Sequence, residues 1–440
     1  MKKRVKTSIL TAVLAIFGTA CLDTNGVKIP YKKLHDFIWE TRFVDVHSHP
    51  IAGHVEFDGR SHYPILEPVI SRPYFPVDRD RLAVADALEP EALEELYGYT
   101  KEEVTASDFP ELERLSRNFW QAGKRDSFNR AMDICGIDTV LANLEELGDA
   151  FDRARVRWVA FVDSLIYPFD SAAIKSISPF FKQSLQRYYF QGKALAEKFD
   201  MSTEDLDSYL RFVDAVLNDC KENDAAALKF ASAYIRTLRF DVVEKGEAES
   251  IFADGRRTKL TDRKRYKKIQ DYIARYICKR AGSLDLPVHF HTGFGYVATL
   301  KNLDSNPLNL ESIFSDMRFA NTRFVMLHAG YPWWDLLEPL LEKKNVFVEF
   351  SAANWMIYWD QLADILYRWL SYHGLTGKIM FGSDAGTPVF FWIAAENSRR
   401  ALYMALSKLI DQKRMSESMA ISIAGKIMRE NAIRIHNLDR

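Results

Sequence analysis

Eight short runs rich in β-branched and aromatic residues recur along this chain, and that count constrains the fold more than any other feature. They lie near RFVDVH (42–47), IDTVLANL (137–144), RWVAFVD (157–163), AALKFA (226–231), LPVHFH (286–291), TRFVMLH (322–328), NVFVEFS (345–351) and KIMFGSD (378–384). Most are apolar on both alternating faces, as a strand covered on both sides must be. Between the later runs the apolar residues return at helical spacing. Tyr266, Ile269, Ile273 and Ile277 share one helical face, with Thr261 as its cap and Gly282 as its stop. Pro332 fits a first helical turn ahead of Leu336, Leu337, Leu340 and Leu341, and a further helix runs from about Trp359 to His373 before Gly374. Strand and helix in alternation predict a parallel (β/α)8 barrel. Two connections exceed a simple crossover, about 54–136 and 164–225. Both carry helical patterns, in EPEALEELYGYT and SLQRYYFQGKALAEKF, and are read as helical insertions over the barrel mouth. No internal repeat and no Pro/Gly/Ser linker divides the chain, so residues 30–440 are expected to form one domain.

In such a barrel the reactive groups sit at the C-terminal ends of the strands. The first run ends DVHSHP, where His47 and His49 are two apart and leave the strand on the same face. Run four carries Lys229, run five ends in His291, run six in His328 and run eight in Asp384. A single strand histidine is usually a core residue whose nitrogens are satisfied. Four histidines and an aspartate on one rim are instead the imidazole and carboxylate set that a divalent, zinc-like ion takes. His289 shares a face with His291 one layer deeper and reads as a structural or supporting histidine.

The N-terminus has a separate purpose. Lys2, Lys3, Arg4 and Lys6 precede an apolar run from Ile9 to Phe17, broken by Thr11 and followed by GTAC. That order is an export signal over residues 1–20, and the apolar run is too short to span a bilayer. Ala20-Cys21 also resembles the end of a bacterial lipoprotein signal, which predicts a periplasmic or lipid-anchored envelope protein; the bland alternative is a cytosolic tail. Removing the segment deletes four of the 59 basic residues and none of the 60 acidic ones, leaving a formal charge of −5. Cys135, Cys220 and Cys278 have no metal or disulfide spacing and read as small core residues. The basic run RRTKLTDRKRYKK (256–268) is expected to be a solvated helix face, and nothing in this near-neutral chain predicts nucleic-acid binding. GFGYVA, from Gly293, matches a dinucleotide pattern but follows two strand histidines and opens no clear helix, so no nucleotide cofactor is expected.

DVHSHP, PVHFHTG, MLHAG and MFGSDAG resemble the amidohydrolase superfamily, in its amidohydrolase-related or type 2 branch, and the closing IMRENAIRIHNL resembles that branch's C-terminal helix. The resemblance runs from about residue 42 to 436 and is weak in the two insertions. It implies a metal-dependent (β/α)8 enzyme whose metal ligands are His47, His49, His291 and Asp384, with His328 as a second-metal ligand or a catalytic histidine. Lys229 falls where two-metal members carry a bridging carboxylated lysine, and as a plain amine it would instead sit beside a single ion. Zinc is the first expectation and manganese the second, as one ion or two. Tyr234, Arg236 and Arg239 after run four, and Trp333 after run six, are candidate substrate contacts, with ion pairing at the surface and plain packing as the alternatives. Trp355 could likewise shape the pocket or only pack. The expected activity is hydrolysis of a small substrate at an amide-type C–N bond, with Asp384 taking a proton from metal-activated water. Nonoxidative decarboxylation of a small carboxylic acid is the rival, and an inactive surface binding protein the third reading.

Overall fold

The computed structural model describes residues 29–53, 84–170, 179–258, 262–295, 300–372 and 374–439. The expected export signal, Cys21, Thr261 and residues 54–83 of the first insertion lie outside them. All eight expected strands form: β1 Phe43–Ser48, β2 Ile137–Leu144, β3 Val156–Phe161, β4 Ala227–Phe230, β5 Val288–Phe290, β6 Phe324–Met326, β7 Val346–Glu349 and β8 Ile379–Met380. They pair in parallel in sequence order, β1 through β8. β1 and the chain just past β8 close the ring further by backbone bonds, from Val46 N–H to the Phe381 carbonyl (3.1 Å), Asp384 N–H to the His47 carbonyl (2.7 Å) and His49 N–H to the Ala385 carbonyl (2.8 Å). The result is a nearly closed α/β barrel of the TIM type.

Numbering helices of six or more residues, α1 is Lys32–Glu40, α2 Val84–Tyr97, α3 Phe109–Phe119, α4 Lys124–Cys135, α5 Pro179–Lys198 and α6 Leu206–Glu222. There follow α7 Lys245–Arg257, α8 Arg263–Ser283, α9 Trp359–Ser371, α10 Pro388–Asp411, α11 Glu417–Gly425 and α12 Asn431–His436. Helices α2 to α4 lie in the first long connection, and α5 and α6 in the second. Helix α8 is capped by Asp262, whose carboxylate accepts from the N–H groups of Lys264 (2.8 Å) and Arg265 (3.3 Å), one residue after the expected Thr261. Pro332 does not open a helix; the chain passes through a short turn and Pro339 instead starts the brief helix Glu338–Leu341. Helix α9 forms as expected, with Leu362, Ile365, Leu366 and Trp369 buried on one face and Gly374 in the left-handed region after it. No described helix is long and apolar enough to cross a membrane.

Val44, Leu141, Val159, Ala227, Val325, Phe347 and Met380, one from each of seven strands, meet Ala432 and Ile435 of α12 in one buried cluster. Helix α12 is therefore a plug on the barrel. His289 adds a polar tie to it: its Nε2 lies 2.8 Å from His436 Nε2, and His436 Nδ1 donates to the Ala432 carbonyl (2.9 Å). Since His436 gives its Nδ1 proton to that carbonyl, its Nε2 is the acceptor and His289 the donor. His289 thus has a structural partner.

That pair must stay neutral. Burial pushes His436 down from 6.5 to about 4 and His289 well below 6.5. The unfolded chain then binds protons that the folded chain refuses, so stability is lost as pH falls from about 6.5 towards 4. Thermal unfolding midpoints should drop across that window in the parent, and drop less in His436→Leu, where the titrating acceptor is gone. Equal pH dependence in the two would remove this pair as a contributor.

Candidate metal centre

The loop after β8 folds back against β1 because Asp45 holds it. Its buried carboxylate accepts from the N–H groups of His47 (3.1 Å) and Ser383 (2.9 Å) and from the Ser383 hydroxyl (2.5 Å). Burial raises Asp45 to about 8 against these donors, with the Ser383 hydroxyl as the strongest opposing influence. Asp384 follows with φ 55°, a left-handed conformation that turns its side chain to the two first-strand histidines. Asp384 Oδ1 lies 3.1 Å from His47 Nε2 and 3.4 Å from His49 Nε2. The three ligand atoms fall within 4.8 Å of one another.

The donor set fits a divalent ion. His47 Nε2 is buried and, although 3.1 Å from Asp384 Oδ1, has no aligned hydrogen bond. His49 Nδ1 donates to the Asn143 backbone carbonyl (3.1 Å), which leaves its Nε2 with a lone pair. The Asn143 side-chain nitrogen, Nδ2, faces His47 Nδ1 at 3.0 Å. With the amide oxygen turned to the ring, the otherwise unpartnered Oδ1 gains a donor and His47 Nε2 also carries a lone pair. Burial, then the charge of Lys229, holds both rings neutral: His47 well below 6.5 and His49 at about 3. Neutral imidazoles with directed lone pairs beside a carboxylate are what a metal requires.

His291 and His328 stand next to this group and outside its 4.8 Å circle. The His328 ring is 5.0 Å from that of His47 and 4.5 Å from that of His291. Both ring nitrogens of His328 are engaged, Nδ1 with Ser351 Oγ (2.9 Å) and Nε2 with His291 Nδ1 (2.9 Å). His291 Nε2 is buried with no hydrogen-bond partner. Lys229 alternates with the outward Leu228 and Phe230, pairs in register with His289, and is buried. Burial lowers its amine to about 8, opposed by the charges of Asp384, Glu349 and Asp163.

Of the expected substrate contacts, Tyr234 packs on the His291 ring at 4.3 Å between centroids. Arg236 is committed elsewhere. It pairs with Asp271 of α8 (2.5 Å), donates to the carbonyls of Thr237 and Arg239 (both 3.0 Å) and lies 4.4 Å over the Phe240 ring. Arg239 is exposed and pairs with Asp241 (2.8 Å). Trp333 is half-buried after β6, and its backbone N–H donates to the Gly330 carbonyl (2.8 Å). Trp355 packs at the rim, donating from Nε1 to the Ser383 carbonyl (2.9 Å). Gly293 of the GFGYVA stretch serves the fold: at φ +70° it lets the chain after β5 lie against the Tyr331 carbonyl where a Cβ would collide.

Four polar residues escaped the reading of strand ends. Asn143 near the end of β2, Asp163 just after β3, and Glu349 and Ser351 at the end of β7 occupy the same rim positions as the histidines. Asking all eight strands for their terminal polar residue would have found them. Asp163 accepts from Ala231 N–H (2.8 Å) and the Ser232 hydroxyl (2.7 Å), and burial raises it to about 6.

The family model described as amidohydrolase matches residues 190–438, more than half of the 440-residue chain, and the protein belongs to that family. The match begins after β3, so the structure, not the match, brings His47 and His49 to Asp384. No curated protein matches the chain. Among solved structures, a Lactobacillus casei protein assigned as a metal-dependent hydrolase is similar, with 16% identity, 92% of this chain and 98% of that chain covered, and a TM-score of 0.69. A glucuronate isomerase from Caulobacter crescentus has 11% identity, coverage of 93% and 94%, and a TM-score of 0.66. Uronate isomerase from Thermotoga maritima has 11% identity, coverage of 92% and 96%, and a TM-score of 0.64. These likenesses establish the shared barrel. The family implies a divalent metal, for which His47, His49 and Asp384 form a candidate site.

Asn143 should be the first support of that site to matter. Asn143→Ala is expected to weaken zinc binding by about 10–100-fold in a chelator competition, because the His47 ring loses its orienting partner. Parental affinity in the folded variant would show that the His47 ring keeps its orientation without the Asn143 side chain.

Proposed function

We propose that the protein is a metal-dependent hydrolase acting on a small substrate at an amide-type C–N bond, with one divalent ion held by His47, His49 and Asp384 and completed by His291. Zinc is the first choice, with manganese second. The observation that carries the reading is the convergence of His47, His49 and Asp384, with a ligand atom of each within 4.8 Å of the others, Asp384 Oδ1 3.1 Å from His47 Nε2 and 3.4 Å from His49 Nε2, and the buried His47 Nε2 lacking a hydrogen bond. A bound ion would supply Lewis acidity and a water whose pKa falls from about 15.7 to near 7.

The protein's own groups do the rest. Asp384 Oδ1 faces the histidines, while Oδ2 lies 3.9 Å from His328 Nδ1. Asp384 accepts the proton of the attacking water and returns it to the leaving nitrogen. Lys229 is the cation of the cluster and stabilises negative charge developing on the substrate oxygen. Tyr234, against the His291 ring, forms a wall of the site. One ion is favoured over two because His328 has both nitrogens in hydrogen bonds and none left to coordinate. Lys229 then acts as an amine and not as a bridging carbamate.

Two measurements test this. Elemental analysis of purified protein should find about one equivalent of a divalent ion, and the His47→Ala/His49→Ala double variant should lose most of it; equal metal in both proteins would remove the central claim. In metal-loaded Asp384→Asn, kcat on a responsive amide should fall by a factor of about 10² to 10⁴. A parental kcat would move the base elsewhere. Should the parent instead release CO₂ from aromatic acids or interconvert uronates while leaving amides and lactones intact, the site is a decarboxylase or an isomerase.

A further inference from the structure

We infer that Glu349 and Ser351 are positioning residues that act through His328 to fix the tautomer of His291, leaving His291 Nε2 unprotonated and able to coordinate. The inference rests on the proposed role of His291 as a ligand and deepens it. It follows from counting protons along one chain of hydrogen bonds.

Glu349, fully buried at the end of β7, receives three donors. Its Oε1 accepts from the His328 backbone N–H (2.8 Å) and from the Ser351 hydroxyl (2.8 Å), and its Oε2 accepts from the Ser351 backbone N–H. A hydroxyl has one proton. Having given it to Glu349, Ser351 Oγ can only accept from its other neighbour, His328 Nδ1 at 2.9 Å. His328 therefore carries its proton on Nδ1, and its Nε2 is an acceptor. The atom facing that acceptor is His291 Nδ1, at 2.9 Å, so His291 carries its proton there. What remains is His291 Nε2, buried and without an aligned hydrogen bond, its lone pair left over by the proton count, with the Phe294 backbone also against the ring. The carboxylate on β7 thus decides, through a hydroxyl and one imidazole, which nitrogen of another imidazole is available. In the opposite tautomer His291 Nε2 would hold a proton and could not bind a cation.

The surroundings keep the chain in place. Glu349 lies against Gly382, where a Cβ would collide with the carboxylate. The Ala352 and His328 backbones adopt positive-φ conformations, φ 58° (with ψ −48°) and φ 64°. These are strained positions for residues with side chains, of the kind that cluster at functional sites.

The test begins with the parent. In selectively ¹⁵N-histidine-labelled, metal-free protein at pH 8, with His291 assigned by comparison with His291→Ala, the expected spectrum shows His291 and His328 both protonated at Nδ1. His291 protonated at Nε2 would overturn the inference without any variant of the chain. In Ser351→Ala the His291 signals should move towards a mixture of tautomers, and zinc affinity by chelator competition should fall about 10–100-fold. Ser351→Thr keeps the hydroxyl and should restore both, whereas a merely structural role would move the unfolding midpoint and leave the tautomer alone. A folded Ser351→Ala protein with the parental His291 tautomer would also overturn it. If the parent binds no metal, the ligand reading fails while the tautomer measurement still decides the relay.

Discussion

The seam between β1 and the chain past β8 is the constraint on which the rest depends. A barrel of eight parallel strands must close, and its last strand here is only Ile379–Met380. Closure is made up by backbone bonds to the residues that follow and by the buried Asp45 carboxylate, which takes both the N–H and the hydroxyl of Ser383. The next residue is Asp384. Closing the barrel and delivering a carboxylate to His47 and His49 are therefore one event, since the His47 carbonyl itself accepts the Asp384 N–H. A change at Asp45 would disturb fold and site together, and the two effects could not be read apart.

Electrostatics at the rim are arranged to keep imidazoles neutral. His47, His49, His289, His291 and His328 are all pushed below their ordinary value, burial first and the Lys229 charge contributing in each. The same burial pushes carboxyl groups the other way, Glu349 to about 7 and Asp163 to about 6. Lys229 is surrounded by Asp384, Glu349 and Asp163, and their charges oppose its desolvation. A buried cation among carboxylates has little reason to exist in a core built only for packing. Around a site that develops negative charge, it has one.

The strands were legible because most are short apolar runs with no polar face, as both faces are covered in a parallel barrel. The histidines and Asp384 were legible because they end such runs. The supports were not, because their partners are far apart along the chain: Asn143 and His47 are separated by 96 positions and Ser383 and Asp45 by 338. Arg236 shows the opposite error. Its place after β4 suited a substrate contact, but Asp271, 35 residues on and about two turns inside α8, takes its guanidinium. Sequence spacing reports which face a residue occupies and is silent about which charge reaches it first. The Asp262 cap and the turn at Pro332 differ for a smaller reason, since helix ends depend on local backbone angles that neighbouring residues share.

The loop bearing Asp384 is also held from outside the barrel. Trp355 donates to the Ser383 carbonyl (2.9 Å) and Asn354 to the Gly382 carbonyl (2.8 Å). Asn397 of α10 in turn donates to the carbonyls of Asn354 (2.8 Å) and Ile357 (3.0 Å). The chain after β7, the chain after β8 and the long helix α10 are thereby one hydrogen-bonded unit, with Asn354, Trp355, Ser383 and Asn397 all buried. Asp384 sits in that unit with a left-handed backbone, which costs conformational energy that only fixed surroundings can maintain. Glu349 and Ser351 belong to the same β7 segment. The outer helices therefore bear on both halves of the site, the carboxylate opposite His47 and the relay behind His291, although none of their side chains needs to touch a ligand.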